Sequence, residues 1–418
     1  MNSTVKILFN SLLIISMLSN CSPKEKGIDS SNTLKETFIQ GTFAYDHEFL
    51  KKYKEVIVLK SRDGQAQLII CPEYQGRVMT STAEGRAGYS FGWLNHDLIA
   101  SGEVLEHINP VGGEDRLWLG PEGGQYSIFH KPGVSFDFEN WYVPKELDTE
   151  PFHTVSSNTR EVVFERSMTL KNYSNSEFKL SVKRTIRLLE KNQISSNLAM
   201  DIPISVNMVG FESENILTNQ GAHTWNKDSG MLSIWILNMF NPSPRTTVVI
   251  PFKKGNESEL GKIVTDEYYG KVSADRLVVR DGVLFFKADG KKRSKIGISP
   301  KRALPIAGSY DAAEQALTIV QFTISGNTTD YVNSLLKIQD APFEGDAVNS
   351  YNDGPLKNGG QLGPFYELES SSPAAALQSG ESLTHVHRTY HFVGDEKDLN
   401  LLAIPLLGVD IAAITSAL

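Results

Sequence analysis

The sequence predicts a mostly β fold, an antiparallel sandwich or barrel with a few short helices. Successive runs rich in Val, Ile, Thr and aromatic residues, among them EVIVLK, AQLIIC, MLSIWILN, TTVVIPF and ALTIVQFTIS, are separated by Gly, Pro, Asn, Asp and Ser. Two long runs at 161–171 and 177–190, joined by YSNSE, alternate polar positions (Glu165 and Ser167; Lys179, Ser181 and Lys183) with mostly apolar ones, which is the pattern of a hairpin. Helical patterns are confined to DHEFLKKYKE, to TDYVNSLLK at 329–337 and to the tail after Asp395, which Pro405 and Gly408 divide. ISSNLAM, KIGIS and RLVVRDGVLFFKA complete the predicted strands. Many strands with few helices imply antiparallel layers.

The bulk properties agree. A chain of 418 residues exceeds the usual size of one core, but large β domains routinely do so. Hydrophobic residues at 40% and charged residues at 22% are ordinary for a globular protein. A net charge of -8 and the absence of a basic stripe with interleaved aromatics argue against nucleic acid as a partner. The chain has no repeat of solenoid length, no P-loop and no G-x-S-x-G elbow.

The first residues carry a different signal. After Lys6, the apolar run ILFNSLLIISMLSNC is too short for a membrane span of ~20 residues and suits a secretory leader, expected over residues 1–20. Leu18, Ser19, Asn20 and Cys21 resemble the lipobox of bacterial lipoproteins, which implies a lipid anchor at Cys21 and a bacterial cell-envelope location, in the periplasm or on the outer-membrane surface. A simple secreted protein is the alternative. Residues 21–40 are polar and Ser-rich, as in a flexible tether. The other cysteine, Cys71, lies in a strand-like run and is expected as a buried thiol, which leaves no structural disulfide.

The richest stretch is GPFYELESSSPAAALQSGESLTHVHRTYHF. Side chains of a strand alternate between faces, so Glu367 and Glu369 share one side, and so do His385, His387 and His391. Acids and imidazoles are thus expected on a single surface, either a solvated face or a site. Three histidines on one strand do not meet at one ion, because alternate residues stand roughly 7 Å apart, so no metal is expected. DAVNSYNDGP at 346–355 has half the acids of a calcium loop but lacks the closing glutamate, and is expected as a turn.

Several pieces together resemble the aldose 1-epimerase, or galactose mutarotase-like, superfamily: ELESSSPAAALQSGESLTHVHRTYHF, EYQGRVMTSTAEG, GGEDRLWLGPEGG at 112–124 and TNQGAHTWN at 218–226. The resemblance implies a large antiparallel β-supersandwich over residues 41–395, followed by a short helical tail at 396–418. It also implies a mono- or oligosaccharide partner on a concave face, with no cofactor. By its place in ELES, Glu369 resembles the general base; Glu367 lines the same groove or takes that role. His223 is the acid candidate, with Trp225 beside it to stack on a sugar. Arg116, Glu114 and Asp115, in a Gly-rich loop, are candidate ligand contacts, as are Trp118, Trp93 and His387.

Such residue types suit chemistry at an anomeric centre. A carboxylate in an apolar-walled cleft serves as base and an imidazole titrating near neutrality as acid, so that one proton leaves the anomeric hydroxyl while another reaches the ring oxygen. Three functions stay open at this point. They are an acid–base enzyme acting on sugars, a glycan-binding lipoprotein without chemistry, and a metal-dependent hydrolase or lyase on the same scaffold.

Overall fold

A computed structural model describes residues 38–356 and 359–418. The expected leader, Cys21 and nearly all of the tether lie outside the described residues. In chain order the first strands are β1 (Ile57–Lys60), β2 (Gln67–Cys71), β3 (Arg77–Thr82), β4 (Arg116–Gly120), β5 (His153–Ser157), β6 (Glu161–Lys171), β7 (Glu177–Leu188), β8 (Asn207–Asn219) and β9 (Ser233–Phe240). There follow β10 (Thr246–Pro251), β11 (Leu277–Arg280), β12 (Val283–Lys287), β13 (Ser294–Ile298), β14 (Ile306–Asp311), β15 (Ala316–Phe322), β16 (Val348–Asn352), β17 (Tyr366–Ser371) and β18 (Ser382–Val393).

They form three antiparallel sheets among the described residues: β1-β2-β3, the ten-stranded β11-β12-β10-β14-β15-β18-β8-β7-β6-β5, and the five-stranded β13-β16-β17-β9-β4. The expected hairpin is β6–β7, in unbroken register from Glu161 opposite Arg187 to Lys171 opposite Glu177. Apolar side chains of the two larger sheets meet between them, with Leu368, Ile296 and Phe240 from the smaller and Val320, Val248 and Phe286 from the larger. This sandwich core fixes which way β17 faces: Leu368 must point inward, so Glu367 and Glu369 point out.

Among the described residues seven short α-helices accompany the sheets: α1 (Phe43–Tyr53), α2 (His96–Ser101), α3 (Lys145–Asp148), α4 (Lys191–Leu198), α5 (Glu257–Leu260), α6 (Glu396–Leu407) and α7 (Ile411–Thr415). The first is the predicted one, capped by the Thr42 hydroxyl accepting from Tyr45 N–H. In the predicted tail, α6 runs through Pro405 and ends at Gly408, whose φ of 77 is the left-handed stop. Pro405 has no N–H to donate to the carbonyl one turn back at Leu401, a residue exposed to solvent.

Three expectations fail locally. ISSNLAM is not a strand: it belongs to α4, nucleated by a reciprocal capping box in which Glu190 and Gln193 satisfy the first free N–H groups. TDYVNSLLK is not a helix either. Its main chain is taken by the neighbouring segment, Tyr331 N–H donating to Phe343 O at 3.0 Å and Asn333 N–H to Pro342 O at 2.9 Å, while Tyr331 is buried. DAVNSYNDGP, expected as a turn, supplies β16 instead, an inner strand of the five-stranded sheet buried throughout. Cys71 is the free buried thiol foreseen, and burial pushes it up to about 12.

Candidate acid–base site

The outer face of the five-stranded sheet carries an unusual set of charges. Register places Lys295, Tyr351 and Glu367 in one row across β13, β16 and β17. The next row is Asn349, Glu369, Leu237 and Arg116 across β16, β17, β9 and β4. Beyond it lie Ser371, Trp235 and Trp118. Glu367 and Glu369 are 5% and 1% exposed, so both carboxyl groups are withdrawn from water.

Their surroundings differ. Glu369 Oε2 accepts from Lys295 Nζ at 2.9 Å and from Trp235 Nε1 at 2.8 Å, leaving Oε1 without a partner. Burial raises the proton affinity of Glu367 well above the usual carboxylate range, the charge of Glu369 adds to this, and Lys295 and Arg116 only partly oppose it. For Lys295, burial favours the neutral amine, but Glu369, Tyr269 and Glu122 outweigh it and its proton affinity is raised.

Arg116, the first residue of β4, is fully buried at the other edge. Its Nη2 donates to Asp148 Oδ1 at 2.7 Å and its guanidinium lies 4.1 Å from the Trp118 ring centre, while Nε and Nη1 have no partner. Glu122, raised by burial, lies close enough to Lys295 and Glu369 to feel both charges.

A strap over residues 261–275 covers the β13 side. Thr265 and Gly297 exchange two main-chain bonds of 2.8 Å, Tyr268 Oη donates to Asp346 Oδ2 at 2.6 Å, and Arg293 stacks on Tyr269 at 3.8 Å. Burial pushes Asp346 up to about 6. Beneath the strap is a cavity of about 20 Å³ lined by Gly120, Ser233, Trp235, Tyr268, Lys295 and Asn349, among others. That volume admits one water molecule and no sugar.

The histidines do not share this face. On β18 they point into the layer between the sheets, where Ser370 Oγ lies 2.8 Å from both His385 Nε2 and His387 Nδ1. Burial lowers both imidazoles to about 3. His387 therefore lies on the side of β17 opposite the acids, and β17 separates acids from imidazoles. His391 bonds Glu114 at 3.1 Å and Thr318 at 2.8 Å. Glu114 also accepts from Ser81, and Asp115 pairs with Arg184 at 2.5 Å and Ser213 at 2.8 Å. Both acids thus serve interior networks and stand apart from the row holding Arg116.

His223 is exposed in the loop after β8, its carbonyl accepting from Asn219 at 2.8 Å, and the structure does not bring it to Glu369. Trp225 is buried edge-on against Phe178, 5.2 Å between ring centres, which leaves no face for a sugar. Trp93 packs on Phe365 at 4.9 Å and joins Met239 and Tyr351 beside Glu367, and Trp118 lies on the site face itself. Sequence reasoning missed Lys295, Trp235, Asp148 and Glu122. Only Lys295 left a trace, as a lone cation inside the apolar run KIGIS. Among the described residues no three His, Cys, Asp or Glu side chains are grouped to hold a metal.

Fold and site together define an antiparallel β protein with a buried acid pair on the outer face of its five-stranded sheet. The chain belongs to a family of unknown function, DUF6786, whose model matches residues 41–418. No curated protein matches it in sequence. Among solved structures it is similar to the Slr1438 protein from Synechocystis sp. PCC 6803, at 12% identity and a TM-score of 0.49 over 81% of this chain and 96% of that one. It is also similar to a galactose mutarotase-like protein from Lactobacillus casei ATCC 334, at 10% identity and a TM-score of 0.43 over 81% and 100% of the two chains. A galactose mutarotase related enzyme from Lactobacillus acidophilus aligns at 9% identity and a TM-score of 0.44, over 82% and 99%.

Proposed function

We propose that the chain is an envelope lipoprotein, anchored through Cys21, that binds a sugar on the outer face of the five-stranded sheet and moves protons at its anomeric centre. One observation carries the reading: Glu367 and Glu369 stand on one face in environments that separate their roles. A carboxyl group whose burial favours the protonated form, beside a second carboxyl group with an unpaired oxygen, supplies a proton donor and a proton acceptor. Glu367, kept protonated by burial and by its neighbour's charge, is the acid. Glu369, held by Lys295 and Trp235 with Oε1 free, is the base.

In the proposed reaction Glu369 takes the proton of the anomeric hydroxyl and Glu367 protonates the ring oxygen. The bond from the anomeric carbon to the ring oxygen breaks and an open-chain aldehyde forms. Rotation about the adjacent carbon–carbon bond and the reverse transfers close the ring on the other face and restore both carboxyl groups. Roughly 7 Å between alternate residues of a strand leaves room for a hydroxyl and a ring oxygen between the two groups. Access requires displacement of the strap bearing Tyr268 and Tyr269, since the cavity beneath it holds no more than water.

The test is polarimetry of freshly dissolved aldoses with wild type, Glu369→Gln and Glu367→Gln, combined with calorimetry for binding. Accelerated equilibration by the wild type alone is expected. Binding without acceleration in the wild type replaces the enzyme with a glycan-binding protein, and no binding of any sugar ends the reading.

A further inference from the structure

A ring that core packing does not explain stands outside the site. Phe138 is 59% exposed, yet it is held in a hydrogen-bonded 3-10 turn, Phe138–Asn140. Asp137 pins that turn, accepting from Asn140 N–H at 3.0 Å, from Asn140 Nδ2 at 2.8 Å and from Ser135 Oγ at 2.5 Å. Beneath the ring His107 is layered between Phe138 at 4.7 Å and Tyr142 at 4.4 Å, with Nδ1 2.8 Å from the Trp141 carbonyl. Leaving a large apolar ring in water forgoes the gain of burying it, and fixing its backbone adds an entropic cost.

Two chains of contact join this ring and its neighbours to the acid pair. Phe138 stacks toward Trp141 at 6.0 Å, Trp141 reaches Trp118 at 6.2 Å, and Trp118 meets Trp235 at 5.5 Å. Trp235 in turn donates to Glu369. On the parallel route, Leu105 N–H donates to Asn109 Oδ1 at 2.8 Å, Asn109 Nδ2 to Asp148 Oδ2 at 2.7 Å, and Asp148 holds Arg116. Val104 and Leu105 at the start of that route are exposed apolar residues as well.

Resting on the sugar reading above, we infer that Phe138 is a stacking platform for a further ring of the ligand, so that the ligand is an oligosaccharide. The apolar C–H face of a pyranose covers an aromatic ring, and its equatorial hydroxyls stay in water or meet polar groups at the rim. Ser135, Asp137 and Asn140 supply such groups beside Phe138.

Calorimetry of the full chain with glucose, galactose, glucuronic acid and their linear di- and tetrasaccharides tests this. Tetrasaccharide is expected to bind wild type more tightly than monosaccharide by roughly tenfold, the order of one aromatic stacking contact. Phe138→Ala, a surface change that leaves the core intact, removes that difference without altering monosaccharide affinity; Phe138→Trp restores it. Equal affinities for mono- and tetrasaccharide, or an unchanged preference in Phe138→Ala, overturns the platform and leaves the sugar reading standing. A Phe138-dependent gain for octyl glycosides alone would assign the ring to an apolar aglycone and defeat the oligosaccharide. Failure of every sugar to bind removes the sugar reading and the platform with it.

Discussion

Lys295 stands in register with Glu367, Tyr351 lying between them, yet its ammonium bonds Glu369, one row away, at 2.9 Å. The diagonal reach gives one carboxylate the cation and withholds it from the other. Glu367 is left with buried surroundings and a charged neighbour, both of which favour its protonated form.

The first prediction concerns that asymmetry. Glu369→Gln keeps the shape and an acceptor for Trp235 but removes the base, and turnover is expected to fall by ~100-fold or more with sugar binding retained. Glu367 acts as an acid only while protonated, so activity is expected to decline as pH rises through its elevated range. Glu367→Gln should lower the rate and abolish that alkaline limb of the pH profile.

A second prediction separates Arg116 from ordinary ligand contacts. Its guanidinium and the Asp148 carboxylate are both buried, and removing one partner strands the other. Arg116→Ala is expected to lower stability by ~3 to 5 kcal/mol in urea denaturation, the range for breaking a buried pair. A variant as stable as the wild type would mean that Asp148 finds water or another donor.

The third prediction turns on the imidazoles behind β17. Burial lowers His385 and His387 to about 3, so both are neutral in the fold while the unfolded chain protonates them near pH 6.5. Stability contributed by keeping them neutral is present above pH 6.5 and is lost as pH falls toward 3, at up to about 1.4 kcal/mol per pH unit for each. Urea midpoints measured between pH 7 and pH 4 should fall steeply in the wild type and less so in His387→Gln. Identical slopes would place the acid sensitivity elsewhere.

The fourth concerns the anchor. Cys21 follows an apolar leader and precedes a polar segment, so labelled fatty acid should enter the wild-type chain and be absent from Cys21→Ala. Label retained in the variant would remove the lipoprotein reading.

Much of the architecture was legible because strand alternation is local: β6, β7, β9, β10 and β15 announce themselves through β-branched and aromatic runs. Strands built from polar or glycine-flanked sequence did not. RLWLG looked like loop and VNSYN like a turn, because each is made a strand by its neighbours in the sheet and not by its own composition. The glutamate pair was legible from period two, and so was the shared face of the histidines. That the two faces are opposite was not, since parity across separate strands depends on which sheet each joins. Lys295 precedes Glu369 by 74 residues, and only the β13–β16–β17 order brings them together. His223, which lies in the exposed loop after β8, illustrates the same point: order along the chain says nothing about distance.

Because β17 presents acids on one surface and a serine between two imidazoles on the other, a single inserted or deleted residue there would exchange them. Both glutamates would be driven into an interlayer already holding two neutral histidines and Arg184, and Leu368 would surface beside Lys295. Substitutions along this strand alter one contact each; a one-residue slip would invert them all, so the count of residues from Tyr366 to Ser371 is constrained more tightly than any one side chain in it.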